Sequence, residues 1–241
     1  MALIDPDLLL RAYAIGVFPM SDSREAEEVF WVEPRRRAIL PLDGFHLSRS
    51  LRKTLRSGEF RVTSDAAFSE VVSRCAEREE TWINPSIEAS YLSLHERGHA
   101  HSVECWAGEE MVGGLYGVSL GAAFFGESMF STRRDASKVA LAWLVARLRV
   151  GGYRLLDCQF MTDHLRSLGA VEVTQQDYLV LLESALSFAA PDGREVTFVG
   201  DLPAAGAEFG ALDRLLAADS SRTADPAASG CVIAQLFGQT S

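Results

Sequence analysis

Apolar and polar residues alternate in the middle of the chain in a pattern that predicts a series of short strands. Residues 101–106 and 111–118 form two such stretches, with a turn at 107–110 between them. A further turn at 119–121 leads into the apolar run 122–125. Alternation with a period of two is typical of strands, and tight turns between them favour antiparallel pairing. This region therefore predicts a three-stranded meander.

A strand–helix–strand unit is predicted directly after the meander. Asp135 is a plausible N-cap for a segment whose apolar residues recur at helical spacing up to Val150, and Gly151-Gly152 ends that segment. A second strand is predicted over 153–160. Two strands joined in this way form a parallel pair with a right-handed crossover, and ligands bind beyond the C-terminal ends of their strands. We expect a cleft there.

The remaining pattern predicts further helices and strands on both sides of this unit, which places the chain in the α/β (α+β) class. We interpret residues 1–38 as a small N-terminal module and residues 39–190 as the main domain. Residues 191–241, rich in Ala, Gly, Asp and Ser, are interpreted as a partly mobile C-terminal extension with one helix at 209–218.

The composition is that of an ordinary soluble protein. Of the 241 residues, 48% are hydrophobic and 23% are charged, and the apolar run Val139–Val145 is too short to span a bilayer. The N-terminus lacks a signal-peptide pattern. We therefore expect a cytoplasmic protein without a membrane partner, acting as a monomer. The four cysteines are widely spaced and predict reduced core residues, with no metal site.

The net charge of −10 is unevenly distributed, since eight basic residues lie between Glu33 and Arg61 against three acidic ones. A helix predicted between Ser48 and Gly58 carries leucines on one side and basic residues on the other. Such a stripe can bind a phosphate backbone, and a solvated helix face would give the same pattern. The stripe consists of Arg49, Arg52, Lys53 and Arg56.

Two polar residues stand out on the second strand of the parallel pair. Asp157 and Gln159 are two positions apart, so their side chains are expected on one face of the strand. A buried strand seldom carries two polar groups that face one way. The alternative is an Asp that caps the next helix and a Gln that fills a polar gap in the core. Cys158, between them, is expected to face inward on the opposite side.

The sequence resembles the leucyl/phenylalanyl-tRNA–protein transferase family over roughly residues 8–188. The stretches that carry the resemblance follow one another in order along the chain: LLLRAYAIGVFPM (8–20), FHLSRSLRKTLR (45–56), TWI (81–83), HERGHAHSVECW (95–106), MVGGLYGV (111–118), FGESMFS (125–131), DASKVAL (135–141) and LDCQ…DH…SLGA (156–170). Several of these stretches are chemically unusual, so the match is far stronger than one short motif.

The resemblance implies a GNAT-like acyltransferase domain and an aminoacyltransferase activity. Members of the family move Leu or Phe, and also Met, from aminoacyl-tRNA to the N-terminal Lys or Arg of a protein, which marks that protein for degradation in the N-degron pathway. The implied partners are the 3′ end of aminoacyl-tRNA and proteins with N-terminal Lys or Arg. No cofactor is implied, because the aminoacyl-tRNA is itself the activated donor.

The resemblance also implies roles for individual residues. Asp157 and Gln159 match a catalytic relay in which the carboxylate orients the Gln amide and the amide oxygen receives the acceptor amine. Replacing either residue by Ala is expected to leave the fold intact and to slow the reaction. Trp82 and Tyr91 match the adenosine-binding region, and Glu127 is a candidate for contact with substrate amino groups. The implied side-chain pocket consists of Leu115, Phe124, Leu141, Leu144 and Leu156.

Two other classes of function remain open from the sequence. A coenzyme A-dependent GNAT acyltransferase would share the fold, but the predicted loop Glu127–Lys138 contains no glycine where such enzymes bind pyrophosphate on a glycine-rich turn. A non-enzymatic RNA-binding module would use only the basic stripe and would leave an aminoacyl ester intact.

Overall fold

A computed structural model describes residues 3–78, 80–189, 195–197, 207–218 and 225–238. Its centre is a seven-stranded mixed sheet with the strand order β4-β5-β6-β7-β8-β3-β9. The strands are β3 (Arg36–Ile39), β4 (Arg61–Ser64), β5 (Ala100–Ala107), β6 (Glu110–Leu120), β7 (Ala123–Ser131), β8 (Leu155–Gln159) and β9 (Val171–Thr174). Two small hairpins pair β1 (Phe18–Met20) with β2 (Phe30–Val32), and β10 (Ser187–Ala189) with β11 (Glu195–Thr197). The predicted mixed α/β class is confirmed.

Helices cover both faces of the sheet and divide the core into two apolar clusters. One face carries α2 (Arg49–Ser57), α5 (Ala136–Val150), α8 (Ala211–Ala217) and α9 (Pro226–Leu236). The other face carries α1 (Pro6–Ala14), α3 (Phe68–Ala76), α4 (Pro85–Glu96) and α7 (Gln175–Leu186). The short helix α6 (Asp163–Ser167) follows β8.

The strand order confirms both predicted supersecondary units. Strands β5, β6 and β7 form the antiparallel meander, and β7 pairs with β8 in parallel across α5. Asp135 lies at the N-cap position of α5, but its side chain caps no backbone N–H and instead contacts Lys138 Nζ at 3.1 Å. Strand β7 is longer than predicted, because residues 127–131 continue the strand rather than open the loop.

The N-terminal residues supply a strand to the main sheet. Strand β3 lies between β8 and β9 and is antiparallel to both, with Ala38 opposite Gln159 and Arg36 opposite Thr174. Residues 36–38 were assigned to the N-terminal module from the sequence, whereas the structure places them inside the central sheet. The first part of the chain therefore lies directly beside the C-terminal end of β8 in the central sheet.

The C-terminal helices are packed into the core rather than appended to it. Phe209 stacks on Phe124 with ring centroids 5.7 Å apart, and Arg147 binds Asp213 through two hydrogen bonds of 2.6 and 2.7 Å. Helix α9 crosses α2 so closely that a Cβ atom added at Gly230 would overlap the carbonyl oxygen of Leu55. The predicted helix at 209–218 is confirmed as α8. Helix α9 is a second helix that the sequence did not predict in this segment. For residues 191–194, 198–206, 219–224 and 239–241, the expectation of mobility lies outside the described residues.

Replacing Gly230 by Ala is expected to lower the free energy of unfolding by about 1–3 kcal/mol, even though Ala favours helices more than Gly does. The added methyl group forces α9 away from α2. Chemical denaturation measures the change. Gly210→Ala is the matched control, because the nearest atom to its added Cβ lies 4.0 Å away. A Gly230→Ala protein as stable as the parent would contradict this packing of α9 on α2.

Candidate active site

A cavity of about 250 Å³ opens where β7 and β8 separate. Backbone pairing between these parallel strands covers only Ala123–Phe125 and Leu155–Asp157, although both strands continue. Apolar side chains from β6, α5 and β8 form much of its wall: Leu115, Leu141, Leu144 and Leu156. The cavity therefore offers an apolar compartment at the C-terminal ends of the parallel pair, as predicted from the strand–helix–strand pattern.

Gln159 presents a polar group to this apolar cavity. Its side-chain amide nitrogen donates to Glu127 Oε1 at 2.9 Å, and its backbone N–H donates to Asp157 Oδ1 at 2.8 Å. The amide nitrogen is the atom turned toward Glu127, so the amide oxygen lies on the side away from it. Within the described residues, no side chain or backbone group donates a hydrogen bond to that amide oxygen. The cavity is thus supplied with an oriented hydrogen-bond acceptor.

Glu127 closes a compact ring of short hydrogen bonds below Gln159. Tyr13 donates to Glu127 Oε1 and Tyr91 to Oε2, each at 2.7 Å, and the two tyrosine oxygens are themselves 2.7 Å apart. If the Glu127 carboxylate is ionised, only the two tyrosine hydroxyl protons are available for the three contacts among Tyr13, Tyr91 and Glu127. A protonated carboxyl group supplies the third proton: it donates to one tyrosine, which then donates to the other tyrosine, and that one donates back to the second carboxyl oxygen. The ring is complete only in that form.

The surroundings of Glu127 also raise its pKa. Burial raises the pKa of this carboxyl group from 4.5 to about 7, although the hydrogen bonds from Tyr13, Tyr91 and Gln159 act in the opposite direction. The nearby Asp157 adds to the rise. Glu127 thus titrates close to neutral pH, where an amine acceptor also changes its charge.

Asp157 is held in a buried ion pair beneath the cavity. Its carboxylate accepts from Arg37 Nε at 2.9 Å and Arg37 Nη2 at 2.5 Å, and from the Tyr178 hydroxyl at 2.8 Å. Arg37 is 1% exposed and Asp157 is 0% exposed. The guanidinium group lies between the rings of Phe18 and Tyr178, 4.7 and 4.6 Å from their centroids. This packing fixes the end of β8, from which Gln159 projects.

Comparison with known proteins shows the family of the chain. A family model described as leucyl/phenylalanyl-tRNA protein transferase matches residues 39–183, and the model of that family's N-terminal domain matches residues 3–35. The chain belongs to this family. The predicted resemblance to leucyl/phenylalanyl-tRNA–protein transferases is therefore confirmed, and with it the expected enzyme class, a transferase.

Two relatives in the leucyl/phenylalanyl-tRNA–protein transferase family match along nearly the full chain, and a third matches along most of it. The protein of that name from Rhizorhabdus wittichii is 61% identical over all of both chains. The one from Novosphingobium aromaticivorans is 52% identical over 99% of this chain and 97% of its own. The one from Zymomonas mobilis is 64% identical over 77% of this chain and 70% of its own.

Most residues that the family resemblance assigned to the substrate site lie together. The cavity wall contains all but one of the predicted pocket residues, together with Glu127, Gln159 and Trp82. Phe124 is the exception. Its ring packs over Gly117 and against Tyr153 and Phe209, where it is fully buried. The ring belongs to the same apolar cluster as the pocket leucines, but it lies beside Phe209 rather than at the cavity.

Two other expectations from the sequence need correction. Tyr91 is 0% exposed and bound to Glu127, so its ring offers no face for stacking on a base. The expected shared face of Asp157 and Gln159 is also wrong in part. Gln159 lines the cavity together with Leu156 and Cys158, whereas Asp157 points to Arg37. The positive φ of Gln159, 62°, ends the strand alternation at that residue.

The basic residues of α2 do not all remain on the surface. Arg52 donates to the carbonyl oxygen of Ala234 at 3.0 Å and so holds α9 in place. Arg49, Lys53 and Arg56 remain exposed on the surface. Arg37, counted with the basic region from the sequence, is buried with Asp157. These differences arise from partners distant in the sequence, which no local pattern reveals.

Several residues of the site were missed from the sequence. Tyr13 lies on the buried side of α1, where helical spacing alone marks it as a core residue. Arg78, Met129 and His164 line the cavity as well. One sequence signal for Tyr13 exists, because this residue lies within the stretch LLLRAYAIGVFPM that carries the family resemblance. The resemblance gave that stretch no role in the site.

Replacing Glu127 by Gln is expected to remove a pH dependence of stability. In the parent, the folded state retains the Glu127 proton up to about pH 7 and the unfolded state loses it near pH 4.5, so stability falls between these values as pH rises. The Gln variant mimics the protonated ring and lacks this decline. Its free energy of unfolding, relative to the parent, should rise by about 3 kcal/mol from pH 4 to pH 8. A constant difference across this range, measured by urea denaturation, would contradict the assignment.

Proposed function

We propose that this protein transfers Leu or Phe, and also Met, from aminoacyl-tRNA to the N-terminal Lys or Arg of acceptor proteins, marking them for degradation. Membership of the leucyl/phenylalanyl-tRNA–protein transferase family supports the reaction class. The observation that carries the proposal is the oriented amide oxygen of Gln159 at an apolar cavity of about 250 Å³. That combination suits an uncharged amino-acid side chain next to an attacking amine.

The chemistry requires orientation more than activation. An aminoacyl ester is already a reactive donor, and an α-amine with a pKa near 7.7–8.0 is partly neutral at neutral pH. In our proposal the Gln159 oxygen accepts a hydrogen bond from the acceptor amine and directs its lone pair at the ester carbonyl. A C–N bond forms, the bond to the ribose oxygen breaks, and the amine proton ends on the released hydroxyl group.

The relay that we propose differs from the one expected from the sequence. Glu127, rather than Asp157, contacts the side-chain amide of Gln159. An ionised Glu127 strengthens the amide oxygen as an acceptor, because hydrogen bonds to a charged partner polarise the donor group. Asp157 acts one step further away by holding the backbone N–H of Gln159.

The donor side chain is proposed to occupy the apolar part of the cavity. Leucine residues from three elements surround it, so a charged side chain would lose its hydration without compensation. Such a pocket discriminates weakly among apolar side chains, which agrees with acceptance of Leu, Phe and Met. The GNAT-like assignment is likewise a proposal, supported by the meander, the crossover helix α5 and the separation of β7 from β8.

Trp82, on the cavity wall and partly exposed, is proposed to stack on the terminal adenine. Trp82→Ala should raise the KM for the tRNA donor by about 5–150-fold, the equivalent of about 1–3 kcal/mol of stacking. Trp82→Phe is the matched control and should retain most of the affinity. Steady-state transfer kinetics with charged tRNA measure both. An unchanged KM in Trp82→Ala would place the base elsewhere.

The decisive test is the transfer assay itself. Purified protein is mixed with tRNA charged with labelled Leu or Phe and with peptides that begin with Arg, Lys or Ala. We expect label on the Arg and Lys peptides, little on the Ala peptide, and no acetyl transfer from acetyl-coenzyme A. Failure to label any peptide, or turnover of acetyl-coenzyme A, would refute the proposal.

Other properties of the protein rest on the sequence. Within the described residues, none of the helices is both long and apolar enough to cross a membrane. The cytoplasmic location, the monomeric state, the absence of a cofactor and the use of Arg49, Lys53 and Arg56 for tRNA binding stay predictions.

A further inference from the structure

A second cavity, of about 420 Å³, adjoins the apolar one. The two share part of their lining, namely Arg78, Met129 and His164. Arg74 from α3, Ser137 from the first turn of α5 and the end of β7 complete much of the second wall. The two cavities are therefore neighbouring compartments of one cleft, with the shared residues as the partition between them.

The second compartment differs chemically from the first, because cationic and hydrogen-bonding side chains line it. Arg78 is exposed and has no ion-pair partner among the described residues. Arg74 donates to the carbonyl oxygen of Met111 at 3.3 Å and lies 3.9 Å from Glu77, the one carboxylate that the described residues place on this wall. The compartment thus has an excess of positive charge.

Two nitrogen atoms on this wall lack partners. Arg74 Nε and His164 Nε2 are buried, and neither makes a hydrogen bond within the described part of the chain. Burial of such groups without a partner is unfavourable by about 1–3 kcal/mol each, so a ligand that supplied partners to them would gain that free energy on binding here. The guanidinium nitrogen is a donor, which requires an acceptor oxygen on that ligand.

We propose that the second compartment binds the phosphodiester group that precedes the terminal adenosine of the donor tRNA. The inference rests on the proposed function, which places the amino-acid side chain in the first compartment and the adenosine beside Trp82. The phosphate is the next group along the donor, and its oxygens match the guanidinium groups of Arg74 and Arg78. The acceptor's N-terminal Lys or Arg is cationic and is repelled by the same residues.

The test compares two small donors with one acceptor peptide that begins with Arg. One donor is adenosine esterified with Phe, and the other is the dinucleotide cytidylyl-adenosine esterified with Phe, which adds one phosphodiester. We expect kcat/KM to be at least tenfold higher for the dinucleotide. Arg78→Gln should reduce this ratio at least fivefold, and Arg74→Gln should act in the same direction. Arg134→Gln, an exposed cation on the loop before α5, is the control and should retain the ratio.

Each outcome decides the proposal separately from the proposed function. A parent ratio near one, or a ratio that Arg78→Gln leaves unchanged, overturns the phosphate site while transfer itself stands. If the parent uses neither donor nor charged tRNA, the proposed function fails. Calorimetric titration with uncharged cytidylyl-adenosine then tests the phosphate site independently of transfer. Binding that Arg78→Gln weakens supports the site. Binding equal to that of a mixture of cytidine and adenosine overturns it.

Discussion

Replacing Asp157 by Ala is expected to lower the free energy of unfolding by about 3–5 kcal/mol. The substitution leaves the Arg37 guanidinium, 1% exposed, without its carboxylate, and it removes the acceptor for the Tyr178 hydroxyl and the Gln159 N–H. This corrects the expectation from the sequence that Asp157→Ala would fold normally and only slow the reaction. Urea denaturation followed by circular dichroism measures the change.

Two companion variants make this prediction specific to the buried pair. Glu172→Ala breaks the Arg36–Glu172 pair on the neighbouring strands, whose side chains are 60% and 40% exposed, and should change stability by less than about 1 kcal/mol. The double variant Arg37→Met, Asp157→Ala should be less destabilised than the sum of its single changes, because the uncompensated charge is gone. Simple additivity would show that the two residues are not coupled.

Replacing Gln159 by Ala is expected to reduce kcat for aminoacyl transfer by about a hundredfold, since an oriented hydrogen-bonding group at a reacting centre contributes on that scale. Gln159→Met retains the size of the side chain but not its amide, and its kcat should fall as far as that of Gln159→Ala. Equal losses would attribute the effect to the amide group rather than to packing. Because Gln159 makes no ion pair, we expect both proteins to fold. Single-turnover transfer to an Arg-peptide gives the rate of the chemical step.

Gln159→Asn provides the control for backbone geometry. Asn tolerates a positive φ better than Ala or Met does, so its main chain should retain the 62° of the parent. The shorter amide no longer spans the distance to Glu127, and an intermediate loss of rate is expected. Full activity in Gln159→Met would rule out the amide as the amine acceptor.

Local patterns predicted the parts of the fold that depend on neighbours in the sequence. The alternation in residues 101–118 and the helical spacing after Asp135 identified the meander and the parallel pair. The apolar wall of the cavity was predictable in the same way, because leucines on β6, α5 and β8 face a common core. Gln159 was found because a polar residue at the end of a buried strand is unusual.

The polar support of the site was not predictable from such patterns. Tyr13 reaches Glu127 across 114 positions, and Arg37 reaches Asp157 across 120. Each of these residues has an ordinary local interpretation, as a core aromatic or as a surface cation. The position of Phe124 away from the cavity is accompanied by its contact with Phe209, which comes from a distant part of the chain.

The position of β3 between β8 and β9 has a consequence for synthesis of the protein. A growing polypeptide leaves the ribosome N-terminus first, so β3 emerges long before either of its neighbours in the sheet exists. One of its hydrogen-bonding edges stays unpaired until residue 159 is released and the other until residue 174 is released. Such contacts between distant segments slow folding. A prematurely terminated product that ends before β8 therefore has no enzyme activity, however well its first helices form.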